Sequence, residues 1–140
     1  MTGAHLLLAA AGWLAAPQPP DTIAVGQTIQ GALRRGDAQT RDKSYVQQWE
    51  IVAAEGAVVT IDLVSESFDA YLIVYGPGLP SDLQDDDSGG LCNARLTVRF
   101  PQRGVYHIAV TSTEKLKAGP FTLSVASGSK PKALSRCRQH

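Results

Sequence analysis

Beyond Pro20 the apolar residues recur at every second position, and no stretch there reads as a long amphipathic helix. In AVVTIDLVS, Val59, Ile61 and Leu63 alternate with Thr60 and Asp62. In RLTVRFP, Leu96, Val98 and Phe100 alternate with Thr97 and Arg99, and in VYHIAVTS, Tyr106, Ile108 and Val110 flank His107. FTLSV repeats the pattern with Phe121, Leu123 and Val125. TIAVGQTIQGAL places Ile29, Gly31 and Leu33 on one face, and YVQQWEI does so with Tyr45, Trp49 and Ile51. AYLIVYG is apolar on both faces, as a central strand is, and its Tyr71 and Tyr75 are expected in the core. Clusters of Gly, Pro, Asp and Ser separate the runs. Gly56 in AEGAV sits where a hairpin would turn, and GPGLP ends the fourth run because proline cannot continue a ladder. About seven short alternating strands predict an all-β fold, an antiparallel β-sandwich with one face of each strand buried and the other wet.

A chain of 140 residues holds one such domain. Thirteen basic and thirteen acidic residues leave no net charge, which argues against nucleic-acid binding driven by global charge. LLLAAAGWLAA, Leu6 to Ala16, is too short to span a bilayer and ends in small residues before Pro17. It predicts an export signal over 1–16, although MTGAH ahead of it has no Lys or Arg. The expected order is signal 1–16, a proline-rich linker 17–21, the sandwich 22–127 and a basic tail 128–140. No other segment is long and apolar enough to cross a membrane, so the mature form is expected to be secreted or periplasmic and not membrane-bound. In an oxidising compartment Cys92 and Cys137 are disulfide candidates, with two free thiols as the alternative. A bridge would close a loop of about 45 residues, a constraint of roughly 4 kcal/mol.

Catalytic chemistry finds little support. His5 lies in the expected signal, His140 ends the chain, and His107 is an outward strand residue. There is no G-x-S-x-G elbow, no H-E-x-x-H, no phosphate loop and no dinucleotide fingerprint. The most acidic stretch is QDDDSGG, Gln84 to Gly90. Nothing apolar adjoins Asp85, Asp86 and Asp87 to raise one pKa for acid catalysis. Two readings stay open for these residues: an acidic turn bonded to its own backbone, which is favoured, or a calcium loop. The EF-hand spacing is absent. RGD at Arg35–Asp37 is too short a motif to assign adhesion.

Several pieces in order carry a resemblance: SESFDAYLIVYGPG, DDDSGG, NARLTVRFPQRGVYHIAVTS and GPFTLSV, with IQGALRRGD and YVQQWEI upstream. Together they resemble the bacterial pre-peptidase C-terminal domain family over about residues 22–126. Phe121 stands where the closing G-x-Y-x-L strand of that family has Tyr. The resemblance implies a jelly-roll-like sandwich of about seven to eight strands on secreted proteins. Such domains often trail a protease and are not catalytic; some are similar to carbohydrate- or collagen-binding modules, and some bind calcium. The 140 residues are expected to hold the module and no protease domain. In calcium-binding relatives, ligands come from before the first strand and from the loop after it. PQPPD is nearly devoid of acids, while Gly36 to Lys43 offers Asp37 and Asp42 as metal candidates. Asp69, between Phe68 and Ala70, is expected to be structural, bonding backbone N–H groups of a neighbouring turn.

The expected function is therefore a secreted, non-catalytic binding module with no cofactor except the calcium alternative. Its expected partner is an extracellular polysaccharide or protein, or a secreted protease assisted in trans. The alternatives are a subunit or separated fragment of such a protease and a calcium-stabilised structural domain.

Overall fold

The computed structural model describes residues 21–133 and Cys137. The expected signal and residues 17–20 of the expected linker lie outside the described residues. The described residues form ten strands and no helix. In chain order they are β1 (Asp21–Thr22), β2 (Thr28–Leu33), β3 (Ala38–Gln39), β4 (Tyr45–Ala53), β5 (Val58–Val64), β6 (Ala70–Tyr75), β7 (Leu83–Asp85), β8 (Ala94–Arg99), β9 (Gly104–Ser112) and β10 (Gly119–Ser127). The seven expected runs are the long strands. The additions are two- and three-residue pieces at sheet edges, too short to show a period.

One sheet runs β2-β10-β5-β8 and the other β4-β9-β6-β7. β1 joins β4 in parallel, opposite Trp49 and Glu50, and β3 pairs antiparallel at Tyr45 and Val46. This interleaving is a jelly roll. Successive long strands alternate between the two sheets, which corrects the expected hairpin at Gly56. β4 pairs with β9 while β5 pairs with β10 and β8, so the turn is a crossover between sheets. It is held by the Gly56 N–H donating to the Phe100 carbonyl at 2.8 Å.

The inward residues of both sheets meet in a single core. Ile61, Leu63, Phe68, Leu72, Val74, Phe100, Tyr106, Ile108 and Leu123 have no exposure or nearly none. Burying each aliphatic or aromatic side chain contributes about 1.5–3 kcal/mol. Tyr106 keeps its polar tip satisfied: its hydroxyl donates to the Gln102 carbonyl at 2.6 Å and accepts from the Gln102 N–H at 3.2 Å.

Two further expectations are corrected. Thr60 and Asp62, on the outward face of β5, are buried rather than wet. The start of the basic tail covers them. Thr60 donates to the Gly128 carbonyl at 2.8 Å, and Arg95 Nη1 on β8 donates to the Pro131 carbonyl at 2.8 Å. Arg95 Nε in turn binds Asp62 at 2.6 Å, with Lys130 Nζ 3.9 Å from the same carboxylate. The Ala133 N–H reaches the Ser88 carbonyl at 2.9 Å, and Cys137 is joined to Cys92. Tyr71 and Tyr75, expected in the core, lie on the outer side of β6; Ala70, Leu72 and Val74 fill the inside.

Candidate functional site

The acidic stretch divides into parts with different roles. Gln84 and Asp85 belong to β7, paired with Ile73 and Leu72 of β6. Because Leu72 faces the core, its cross-strand neighbour Asp85 points to the inner side of the sheet edge. There its carboxylate accepts from the Ser88 N–H at 2.8 Å, the Ser88 hydroxyl at 2.5 Å and the Arg95 N–H at 3.0 Å. Ser88 is buried as a result. Gly90 and Asn93 close the turn that follows, and the Asn93 side chain accepts from the Ser65 N–H at 3.0 Å. The Asp85 arrangement is that of an acidic turn bonded to its own and neighbouring backbone.

Asp86 and Asp87 are exposed at the bend beyond. The expectation that nothing near these acids raises a pKa is corrected at Asp86: partial burial, followed by the charges of Asp87, Asp69 and Asp85, raises its pKa above the ordinary value. Asp69 is stitched through its backbone: its N–H donates to Glu114 Oε1 at 2.9 Å and its carbonyl accepts from the Thr113 N–H at 3.1 Å. The Asp69 carboxylate lies 3.9 Å from Cys137 Sγ.

The second pair of candidates is separated. Asp37 accepts from the Arg34 N–H at 2.8 Å and from Gln47 Nε2 at 2.9 Å, which closes the turn containing Arg35–Asp37. Asp42 stands exposed in the loop between β3 and β4. Among the described residues, the one grouping of three His, Cys, Asp or Glu side chains with ligand atoms within 4.8 Å of one another is Asp69, Cys92 and Cys137. Its two sulfurs are bonded to each other at 1.99 Å, so neither is the thiolate a metal requires.

The residues that sequence reasoning missed lie on the outer face of the β4-β9-β6-β7 sheet. Tyr71, Ile73 and Tyr75 form a half-buried stripe along β6. The Tyr75 ring stacks on His107 of β9 with centroids 5.0 Å apart and planes 18° apart. His107 Nδ1 is 3.7 Å from Glu50 of β4, and the Tyr75 hydroxyl donates to Gln48 Oε1 at 3.1 Å. The Tyr71 hydroxyl donates to Gln84 Oε1. The usable signal was side-chain chemistry: tyrosine has an apolar body and a wet tip, so of the two apolar faces of β6 the one with tyrosines faces outward.

At the Tyr71 end this face deepens into a groove of about 390 Å³. Thr40 to Asp42 form one wall, Tyr71 and Ile73 line the β6 side, and Thr111 to Thr113 line the end of β9. Burial raises the Tyr71 pKa, and the charges of Asp86 and Asp42 add to the effect. Tyr71 therefore lies within electrostatic reach of two acids from different loops. Aromatic faces, amides and mixed charges on a concave surface are means of binding.

No family model and no curated protein sequence matches the chain. Solved structures do. The pre-peptidase C-terminal domain of a Bacillus anthracis collagenase superposes with a TM-score of 0.56 at 16% identity, over 79% of this chain and 97% of that one. PliG of Salmonella Typhimurium, a periplasmic inhibitor of g-type lysozyme, gives a TM-score of 0.53 at 18% identity, over 79% and 100% of the two chains. PliG of Aeromonas hydrophila gives 0.52 at 17%, over 77% and 96%. At these identities the likeness is one of fold, and the chain is a jelly-roll sandwich of the shape shared by the collagenase domain and the lysozyme inhibitors.

Proposed function

We propose that the chain is an exported, non-catalytic binding module that acts outside the cytoplasm on a protein partner. The observation that carries this is the outward stripe of Tyr71, Ile73 and Tyr75, backed by the groove at its end. Tyrosines presented on rigid strands bind at low entropic cost and are enriched at interfaces. The disulfide joining Cys92 to Cys137 suits an oxidising compartment and supports export. The solved structures of the same shape include a domain of a collagenase and periplasmic inhibitors of g-type lysozyme. A secreted enzyme bound in trans is therefore the favoured partner class, with an extracellular polysaccharide as the second.

The test is affinity capture from a secreted or periplasmic extract, with Tyr71→Ala/Tyr75→Ala beside the wild type. The expected result is a protein retained by the wild type and lost from the double variant, both being equally folded by circular dichroism. Identical captured sets would sink the reading. Saturable binding on a glycan array with no protein partner would move it to the polysaccharide alternative.

A further inference from the structure

Deepening the protein-binding reading above, on which this step rests, we infer that the groove beside Tyr71 receives a lysine or arginine side chain from a basic segment of the partner. Three features of the groove select that occupant.

The first is which polar groups remain to be used. The Ser44 hydroxyl donates to the Glu114 carbonyl at 3.1 Å, and the Thr111 hydroxyl donates to the Tyr45 carbonyl at 2.7 Å. Thr40 Oγ1 accepts from the Ser44 N–H at 3.1 Å, and Ser112 Oγ accepts from the Glu114 N–H at 2.9 Å. These four hydroxyls are engaged in holding the fold. A sugar needs a ring of uncommitted donors and acceptors around its own hydroxyls, and this groove offers few. Its remaining chemistry is the hydroxyl of exposed Thr113, the Tyr71 ring, the Ile73 side chain and two charged residues, Arg41 and Asp42.

The second is charge placement. Asp42 lines the groove, and Asp86 stands just outside the lining, two residues after Gln84, the acceptor of the Tyr71 hydroxyl. A cation over the Tyr71 ring gains from the ring quadrupole and from both carboxylates. Arg41 is the one cation in the lining and opposes it. The third is size and shape. A groove of about 390 Å³ has room for an extended side chain and far exceeds what a bare ion needs. The methylene stem of lysine or arginine would lie on Tyr71 and Ile73 with its charged head toward the acids.

The experiment is an NMR titration of the chain with a blocked pentapeptide bearing one central lysine, at low salt and up to millimolar concentration. Peptides with norleucine or glutamate at that position are the controls. The lysine peptide is expected to shift the amides of Asp42, Ile73 and Thr111 saturably, and the controls to leave them unmoved. Asp42→Asn should weaken binding about fivefold, the scale of one exposed charge or cation–π contact. Arg41→Ala should tighten it. Both residues are exposed, so their variants are expected to melt like the wild type.

Equal shifts with norleucine would overturn the inference, as would no effect, or the opposite sign, from the two charge variants. So would saturable shifts at the same amides with a chito-oligosaccharide and none with lysine. Where a captured partner binds the wild type and Asp42→Asn alike but not Tyr71→Ala/Tyr75→Ala, the groove assignment falls and the binding role stands.

Discussion

The carboxylate of Asp85 accepts the Arg95 N–H at 3.0 Å, so an acid on β7 of one sheet caps the open edge of β8 in the other. Edge strands expose unpaired N–H groups that invite further pairing, and covering them is a recurrent need of sandwiches. The same carboxylate also holds both the N–H and the hydroxyl of buried Ser88. Its role is architectural, at the mouth where β7 and β8 meet.

Asp85→Ala removes the acceptor for three donors, two of them backbone. Each unmet buried donor costs about 1–3 kcal/mol, with partial relief from water at this edge. A loss of about 2–3 kcal/mol in urea unfolding is expected. Asp87→Ala, at an exposed position, should stay within about 0.5 kcal/mol of the wild type. Equal effects from the two substitutions would show that Asp85 has no special structural role.

Breaking the Cys92–Cys137 bridge tests the tail. The bridge spans 45 residues and ends a segment held by Thr60, Arg95 and Asp62. The double variant Cys92→Ala/Cys137→Ala should lose about 2–4 kcal/mol. Hydrogen exchange should quicken first at Ala133, whose N–H bonds Ser88, and then at Gly128, whose N–H bonds Val58. Intact mass before and after reduction and alkylation establishes the bridge itself. Unchanged exchange at both amides would show that the tail holds without it.

The long strands were legible because one face of each is apolar and the other polar: Val59, Ile61 and Leu63 point inward as their alternation says. What escaped was set by neighbours distant in sequence. Thr60 and Asp62 look wet by pattern and are buried because Gly128 and Arg95 close over them. β6 has apolar residues on both faces, so alternation alone could not decide which way Tyr71 points. The turn at Gly56 has hairpin chemistry in a jelly roll that sends successive strands to opposite sheets, and only pairing reveals this. The role of Asp85 was half legible: its own turn was readable, and its bond to Arg95, ten positions away across the sheets, was not.

The raised pKa of Asp86 gives stability a pH dependence of stated sign. Burial first, and then the neighbouring carboxylates, disfavour its charged form in the folded state. The folded protein therefore holds this proton to higher pH than the unfolded chain. Its contribution to stability is present below the unfolded-state pKa and is lost as pH rises through the raised folded value. Asp86→Asn should stabilise the protein modestly at neutral pH and flatten the slope of melting temperature against pH across the acidic range. A variant that melts lower than wild type at neutral pH would contradict this.

The same acids decide how the protein answers to calcium. A cation bound only by the folded state raises stability by RT ln(1 + [L]/Kd), about 2.7 kcal/mol at a hundred times Kd. In a domain of this size that moves the melting temperature by several degrees. Asp85 already accepts three hydrogen bonds, Asp37 is engaged by Arg34 and Gln47, and Asp42 belongs to the groove wall. Asp86 and Asp87 then face a cation with few protein oxygens to share the coordination, and calcium takes 6–8. Melting curves in millimolar calcium and in chelator are therefore expected to coincide. A rise of several degrees with calcium that Asp86→Asn abolishes would reassign the bend as a cation site. A rise that survives Asp86→Asn and Asp87→Asn together would place the ion elsewhere.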